Sequence, residues 1–393
     1  MAGAVELTPA GRASGGGDKS TPGLRASAGG PALPSPSTPA PLPPPRKTMF
    51  QRFAQQQLAG WSPILTPGAL VLYFTLAGAA CAAIGAPLLA ASLSVVQVRA
   101  RYDDAGPLAA LPDAPARAAA LADAGGDGVA TQLTIPIGAR TLNPPVYVYY
   151  ELARFHQNHK RYVRSRDDQQ MGGVPGPPAE RCAPEKETAD GAPIVPCGLA
   201  AWSLFNDTFT DWRLTTGPPA GQAGGGAGTT APLTVDSSSI AWPSDARHLY
   251  GPVAPQNFNV DPASRGGGAA AGVPLNQDQH LMVWLRPAAS PTVRKLWGVI
   301  DTPLPAGSTV TLTVGNRYNT YGWGGAKAVV LTTASWAGGR NHFLGAAYLS
   351  VSGACLLTAV GFALGSGTGC CGLVRRRRFG DPAELSWNRA KRA

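Results

Sequence analysis

Two long stretches of the chain carry no charged residue, Phe53–Val98 and Asn341–Val374. Each holds an apolar run without a polar face: ALVLYFTLAGAACAAIGAPLLAASLSVV (69–96) and FLGAAYLSVSGACLLTAVGFAL (343–364). Both exceed the roughly 20 residues that cross a hydrocarbon core about 30 Å thick. A core helix of a soluble domain is the alternative, but such a helix normally keeps a polar stripe. The pattern predicts two transmembrane helices. Thr66-Pro67 reads as an N-cap with proline at the first helical position. Pro87 predicts a kink whose freed carbonyl must find another partner. The first run starts too far along the chain, and is too long, for a cleaved signal peptide, so it reads as a signal anchor.

Between the two runs the pattern changes to short apolar or aromatic segments broken by Gly and Pro: PVYVYYEL (145–152), LMVWLRP (281–287), KLWGVID (295–301), STVTLTVGNRY (308–318) and KAVVLTT (327–333). STVTLTV alternates cleanly and is rich in β-branched residues, as a half-buried strand should be. The predicted fold class is a membrane protein of α+β type. Two transmembrane helices flank a large, mainly antiparallel-β, sandwich-like exoplasmic ectodomain with short helices near 102–122 and 149–164. The expected organisation is a disordered Pro-rich tail (1–48), a juxtamembrane segment (49–66), a first span (67–97), the ectodomain (98–342), a second span (343–373) and a basic tail (374–393). The Gly-rich stretches 215–232 and 263–272 read as flexible loops.

Charge decides the orientation. Only 14% of the residues are charged, against about 25% in a soluble domain. The net charge of +10 divides as +4 over residues 1–66, +5 over 375–393 and +1 between. Arg46, Lys47 and Arg52 precede the first span and Arg375–Arg378 follow the second, so the positive-inside rule predicts that both tails are cytoplasmic. The basic balance then belongs to membrane-flanking tails and not to a nucleic-acid surface. Cys182 and Cys197 are the only cysteines between the spans. In an oxidising compartment such a pair is most simply a disulfide, two free thiols being the alternative. Asn206-Asp207-Thr208, the chain's single N-glycosylation sequon, falls in the same region.

The densest polar run is RFHQNHKRYVRSRDDQQ (154–170), with five basic residues, two histidines and Asp167-Asp168. His156 and His159 lack further convergent ligands for a metal, and no nucleophile accompanies the aspartates. Phe155, His159, Tyr162, Val163 and Arg166 fall at helical spacing. The expectation is a structural helix and turn, with Arg161, Arg164, Asp167 and Asp168 in ion pairs. Asp18-Lys19-Ser20-Thr21 faintly resembles the phosphorylated motif of ion-pumping ATPases but sits in the tail. Gly367-Thr-Gly-Cys-Cys-Gly372 matches G-x-G-x-x-G without a preceding strand, so the dinucleotide reading fails. Gly361, Gly365 and Gly369 instead form G-x-x-x-G pairs suited to helix packing in lipid, with Gly78 and Ala82 a weaker pair. No G-x-S-x-G, H-E-x-x-H or G-K-[ST] occurs. No enzymatic activity, cofactor or metal is expected.

Longer strings carry a resemblance. RFAQQQLAGWSPILTPG (52–68), YYELARFHQNHKRYVRSRDDQQMGG (149–173), PCGLAAWSLFNDTF (196–209), VAPQNFNV (253–260), HLMVWLRPAASPTVRKLWGVID (280–301), NRYNTYGWGGAKAVVLTT (316–333), NHFLGAAYLSVSGACLL (341–357) and RRRRFGDPAELSWN (375–388) occur in order. Together they resemble the ligand-effect modulator or cell-division-control family, accessory β-subunits of type-IV P-type ATPases, the phospholipid flippases. The resemblance implies a non-catalytic partner of the ATPase catalytic α-subunit. Such a partner supports folding, exit from the endoplasmic reticulum, localisation to Golgi, endosomes or plasma membrane, and movement of aminophospholipids or other lipids to the cytoplasmic leaflet. It also implies a Cys182–Cys197 disulfide and a glycan on Asn206. Interface candidates are Phe53, Gln57, Trp61, Pro63, Arg161, Arg166, Tyr321 and Trp323 on the matching strings, together with Gly361 and Gly365 of the G-x-x-x-G pairs. Family members often carry further cysteines after the first span; residues 105–128 have none, so packing alone must hold them. A two-span ligand-gated channel subunit or receptor is the alternative, although such ectodomains usually hold many disulfides.

Overall fold

A computed structural model describes residues 48–56, 66–217, 228–259 and 272–365. Helix α1 (Met49–Ala54) belongs to a unit of its own. It is closed by a capping box in which Thr48 Oγ1 accepts from the Gln51 N–H at 3.2 Å and Gln51 Oε1 accepts from the Thr48 N–H at 3.0 Å. The second unit runs α2 (Pro67–Ser94), β1 (Gln97–Arg101), α3 (Ala114–Asp123), β2 (Val129–Pro136), β3 (Val146–Leu152), α4 (Lys160–Arg164), α5 (Asp168–Met171), α6 (Leu199–Trp202), β4 (Thr208–Thr216), β5 (Thr229–Pro232), α7 (Pro243–His248), α8 (Gln279–Leu285), β6 (Val293–Ile300), β7 (Thr309–Asn316), β8 (Lys327–Thr332) and α9 (His342–Gly365).

Among the described residues, helices α2 and α9 are the two elements long and apolar enough to cross a membrane. Thr66 caps α2 by accepting from the Ala69 N–H, and the helix runs on through Pro87. It stops at Ser94, three residues short of the predicted boundary, because Arg140 donates to the carbonyls of Leu93 and Ser94 at 3.1 and 3.0 Å and Gln97 already pairs as strand. The two helices pack on one another where side chains are smallest. A Cβ on Gly345 would lie 2.7 Å from the Leu89 backbone nitrogen. Ser352 Oγ donates to the Gly78 carbonyl at 2.7 Å, satisfying a polar group that lipid could not. The remaining faces stay open: Leu76 is 59% and Leu357 75% exposed. An apolar helix exposed on most of its circumference is what a lipid-facing span requires and what a soluble core helix cannot tolerate.

The β strands form two four-stranded antiparallel sheets, ordered β1-β8-β3-β6 and β2-β7-β4-β5. Both spans feed the first sheet directly. β1 follows α2, β8 precedes α9, and Gln97 pairs with Thr332 on the rung nearest the helices. β2 and β7 alternate buried and open positions, as strands with one face on a core should. One core joins the inner faces of both sheets, with Val148, Leu152, Ile135, Val310 and Leu312 almost fully buried. Its aromatic centre stacks Tyr150 on Phe205 with ring centroids 3.9 Å apart.

Several local expectations change. Residues 149–152 are strand, and only 160–164 are helical. The β-branched and aromatic run VYVYYEL extends to Leu152, and Arg154 then adopts a positive φ of 60°. The helix expected over 102–122 is a 3-10 turn at Gly106–Ala110 and then α3, because Pro112 disfavours helical geometry at Leu111. Asp113 caps α3 through the Ala116 N–H, and buried Leu108 and Leu121 anchor this cysteine-free segment. The run LMVWLRP forms α8 and not a strand. Asp278 caps it at the Leu281 N–H, and a five-residue apolar run cannot reveal its own period. The ends of the first Gly-rich insertion are strands: Thr215 pairs with Thr230 across the β4–β5 hairpin.

Candidate functional site

Among the described residues the ionic chemistry is concentrated in ion pairs that join strands. Asp207 and Lys327 lie at the centre. Lys327 opens β8 and Asp207 precedes β4, which places them in different sheets. Their side chains meet at 2.8 Å with no exposure to solvent. Lys327 Nζ also donates to Tyr318 O at 2.6 Å and to Asn316 Oδ1. Three acceptors around one nitrogen match the three protons of an ammonium. Asp207 accepts in turn from Tyr102 Oη at 2.7 Å and from the backbone N–H groups of Arg317 and Tyr318, each at 2.6 Å. Burial lowers the pKa of the Lys327 ammonium and the Asp207 carboxylate opposes that shift. Burial and the same carboxylate push the Tyr102 phenol well above its usual range, so it remains a donor.

A second network crosses the outer face of the first sheet. Glu151 on β3 accepts from Arg99 on β1 and from Arg294 on β6, each at 2.8 Å. Arg99 reaches over β8, so the triad roofs Ala328 and Val330 and leaves β8 buried on both faces. Burial alone would raise the Glu151 carboxyl, but the two guanidiniums outweigh it and hold the group below its ordinary value.

The 154–170 segment is a clamp. Asp167 caps α5 by accepting from the N–H groups of Gln169 and Gln170, and its other oxygen accepts from Ala179 N–H at 3.0 Å. Gln170 grips the next loop at both ends, accepting from Cys197 N–H and donating to Ile194 O, each at 2.9 Å. Ser165 Oγ accepts from Leu199 N–H, and Gly198 passes so close that a Cβ would lie 2.2 Å from Ser165 O. With φ at +98°, that position favours glycine twice over. The loop so held contains Cys182 and Cys197, which are bonded to each other. Arg166 pairs with Asp168 at 2.7 Å and donates to Leu285 O at 3.1 Å. The expected ion pairs of Arg161 and Arg164 are absent among the described residues; both residues are exposed. Phe155 lies outside α4 yet stacks edge-on against Tyr162 at 5.9 Å.

The other predicted positions separate. Asn206 sits half-buried between α6 and β4, its Oδ1 buried without a donor among the described residues. Tyr321 donates to Asp103 O, while Trp323, 40% exposed, packs on Phe155 at 5.9 Å and Tyr318 at 6.2 Å. Phe53 is exposed on α1. Gln57, Trp61 and Pro63 lie outside the described residues, as do Gly369, Cys370 and Cys371. The two spans meet at Gly78 and Gly345, whereas a Cβ on Gly361 or Gly365 would meet nothing within 4 Å. Sequence patterning alone does not single out Asp207, Lys327, Tyr102 and Glu151. A lysine opening the otherwise apolar run KAVVLT was the one available signal.

Comparison with known proteins agrees with this architecture. The chain is 39% identical over 346 residues to ALA-interacting subunit 3 of Arabidopsis thaliana, covering 88% of this chain and 91% of that protein. It is 33% identical to cell cycle control protein 50B of Homo sapiens, covering 78% of this chain and 90% of that one. It is 32% identical to the phospholipid-transporting ATPase accessory subunit CDC50 of Chaetomium thermophilum, over 63% of this chain and 61% of that one. The model of the LEM3 (ligand-effect modulator 3) family / CDC50 family matches residues 88–366, a segment that begins inside α2 and takes in the whole two-sheet ectodomain and α9. The chain belongs to the LEM3/CDC50 family.

Proposed function

We propose that the chain is a non-catalytic accessory β-subunit of a phospholipid-transporting P-type ATPase, an integral membrane protein that pairs with the catalytic α-subunit. Family membership carries this reading, together with relatives named as ATPase accessory and ALA-interacting subunits. The architecture supports it. The conspicuous ionic groups of the ectodomain are committed to holding strands and loops together, as in Lys327–Asp207 and Arg99–Glu151–Arg294. Residues 67–94 and 343–365 carry no Asp, Glu, Lys, Arg or His, so nothing in the spans favours a conducting pore.

Three finer assignments belong to the same proposal. Both tails are cytoplasmic, supported by the Lys/Arg excess outside the two spans, and the chain resides in the endoplasmic reticulum, the Golgi or endosomes, and/or the plasma membrane. Asn206 carries a glycan. The partner contacts Gly361 and Gly365 on α9, Arg161, Arg166, Tyr321 and Trp323 on the ectodomain, and Phe53, Gln57, Trp61 and Pro63 ahead of α2. Depletion of the chain is expected to abolish transport of labelled phospholipid to the cytoplasmic leaflet, with rescue by the full-length chain. Unchanged transport in depleted cells would overturn the proposal.

A further inference from the structure

Beside the edge strand β6 is a cavity of 340 Å³ whose wall carries Lys295, Arg286, Arg294, Asp245, Trp242 and Tyr149. Three cations therefore face one carboxylate, and that carboxylate is already engaged. Arg286 holds both oxygens of Asp245, at 2.6 and 2.7 Å, while its guanidinium lies 4.3 Å over the Trp242 ring. Arg294 spends its terminal nitrogens on Glu151 and Gln97, on the sheet face opposite Lys295. Lys295 is 6% exposed, and its amine has one acceptor among the described residues, the Arg286 carbonyl. An ammonium has three protons to donate, so two donors and a positive charge remain unmatched in a largely buried position.

We propose that this cavity binds a phosphate-class oxyanion, with Lys295 as its central ligand. An oxyanion supplies what the wall lacks: several acceptor lone pairs and negative charge, where charge-assisted bonds are strongest. Burial, with Arg286 nearby, lowers the Lys295 amine to about 8, the response expected of a buried cation without a counter-ion. Position suggests two sources for the anion. Arg99, Val330, Tyr149 and Leu296 form the rung at the cavity, two residues along each of β1, β8 and β3 from the Gln97–Thr332–Tyr147 rung that adjoins the spans. Two strand residues advance about 7 Å, so a lipid headgroup phosphate and a dissolved phosphate are both within reach of the site.

The test uses the full-length chain in nanodiscs and reads acetylation of Lys295 by mass spectrometry, with exposed Lys160 as internal reference. In phosphatidylcholine discs, inorganic phosphate is compared with chloride at equal ionic strength; a second set of discs contains phosphatidic acid and no free phosphate. Bound oxyanion should slow Lys295 labelling about tenfold, the change in free-amine fraction for a one-unit rise in pKa, while leaving Lys160 unchanged. Protection by inorganic phosphate identifies a soluble ligand, and protection only in phosphatidic-acid discs identifies a headgroup. Equal Lys295 labelling under all conditions overturns the proposal.

Discussion

Lys327 and Asp207, 120 residues apart in sequence, form an ion pair 2.8 Å long that neither side chain shares with solvent. It joins the first strand residue of one sheet's β8 to the residue preceding β4 of the other. Removing one partner leaves a buried charge uncompensated, which costs about 3–5 kcal/mol. Lys327→Met should therefore destabilise the ectodomain strongly, whereas Lys327→Met with Asp207→Asn should recover much of the loss. Thermal unfolding followed by tryptophan fluorescence distinguishes them; equal losses in the single and double variants would contradict the ion-pair account.

The Arg99–Glu151–Arg294 triad predicts a pH dependence. The folded-state pKa of Glu151 lies below its ordinary value. Its contribution is present above the unfolded pKa of about 4.3 and disappears as pH falls through the lower folded value. Glu151→Gln should lower the melting temperature at neutral pH, and the gap to the parent should narrow as pH falls below about 4. A gap that widens on acidification would have the wrong sign.

Closing a loop between Cys182 and Cys197, 15 residues apart, contributes on the order of 3 kcal/mol in the chain-entropy model. The Cys182→Ser, Cys197→Ser chain should unfold at lower denaturant concentration. It should nevertheless remain folded in mild conditions, because Asp167, Ser165 and Gln170 still grip the same loop. Complete unfolding would show that the clamp at 165–170 has no independent strength.

The spans make opposite predictions for two glycines. Gly345→Leu drives a side chain into the Leu89 backbone and should separate α2 from α9, lowering the yield of monodisperse protein. Gly361→Leu projects from an open face; it should leave the melting temperature unchanged while reducing ATPase recovery. Normal ATPase recovery with Gly361→Leu would remove this face from the proposed interface.

Legibility in the sequence follows from how local each cause is. The spans are visible because absence of charge on every face is a local property, and β7 is visible because TVTLTVGN alternates along its own length. α8 is misread because LMVWL is too short to display a period, and the deciding signal is the cap at Asp278. β8 is buried on both faces only because Arg99 and Glu151 close over it from neighbouring strands. Likewise, Asp207 reads as the middle residue of a surface sequon until Lys327 arrives from the other sheet. Pairings of that range leave no periodic trace. The 154–170 segment shows both outcomes. Asp167 and Asp168 do enter ion pairs, but the helical spacing from Phe155 and the ion pairs of Arg161 and Arg164 are not realised. The segment's partner, the 179–199 loop, leaves no trace in the sequence.

The accessory-subunit assignment is tested most directly by affinity purification of the full-length chain from its native membrane in mild detergent, with the bound protein quantified by mass spectrometry. The account predicts recovery of a phospholipid-transporting P-type ATPase in near-equal amount. Recovery of the chain without an ATPase would contradict it.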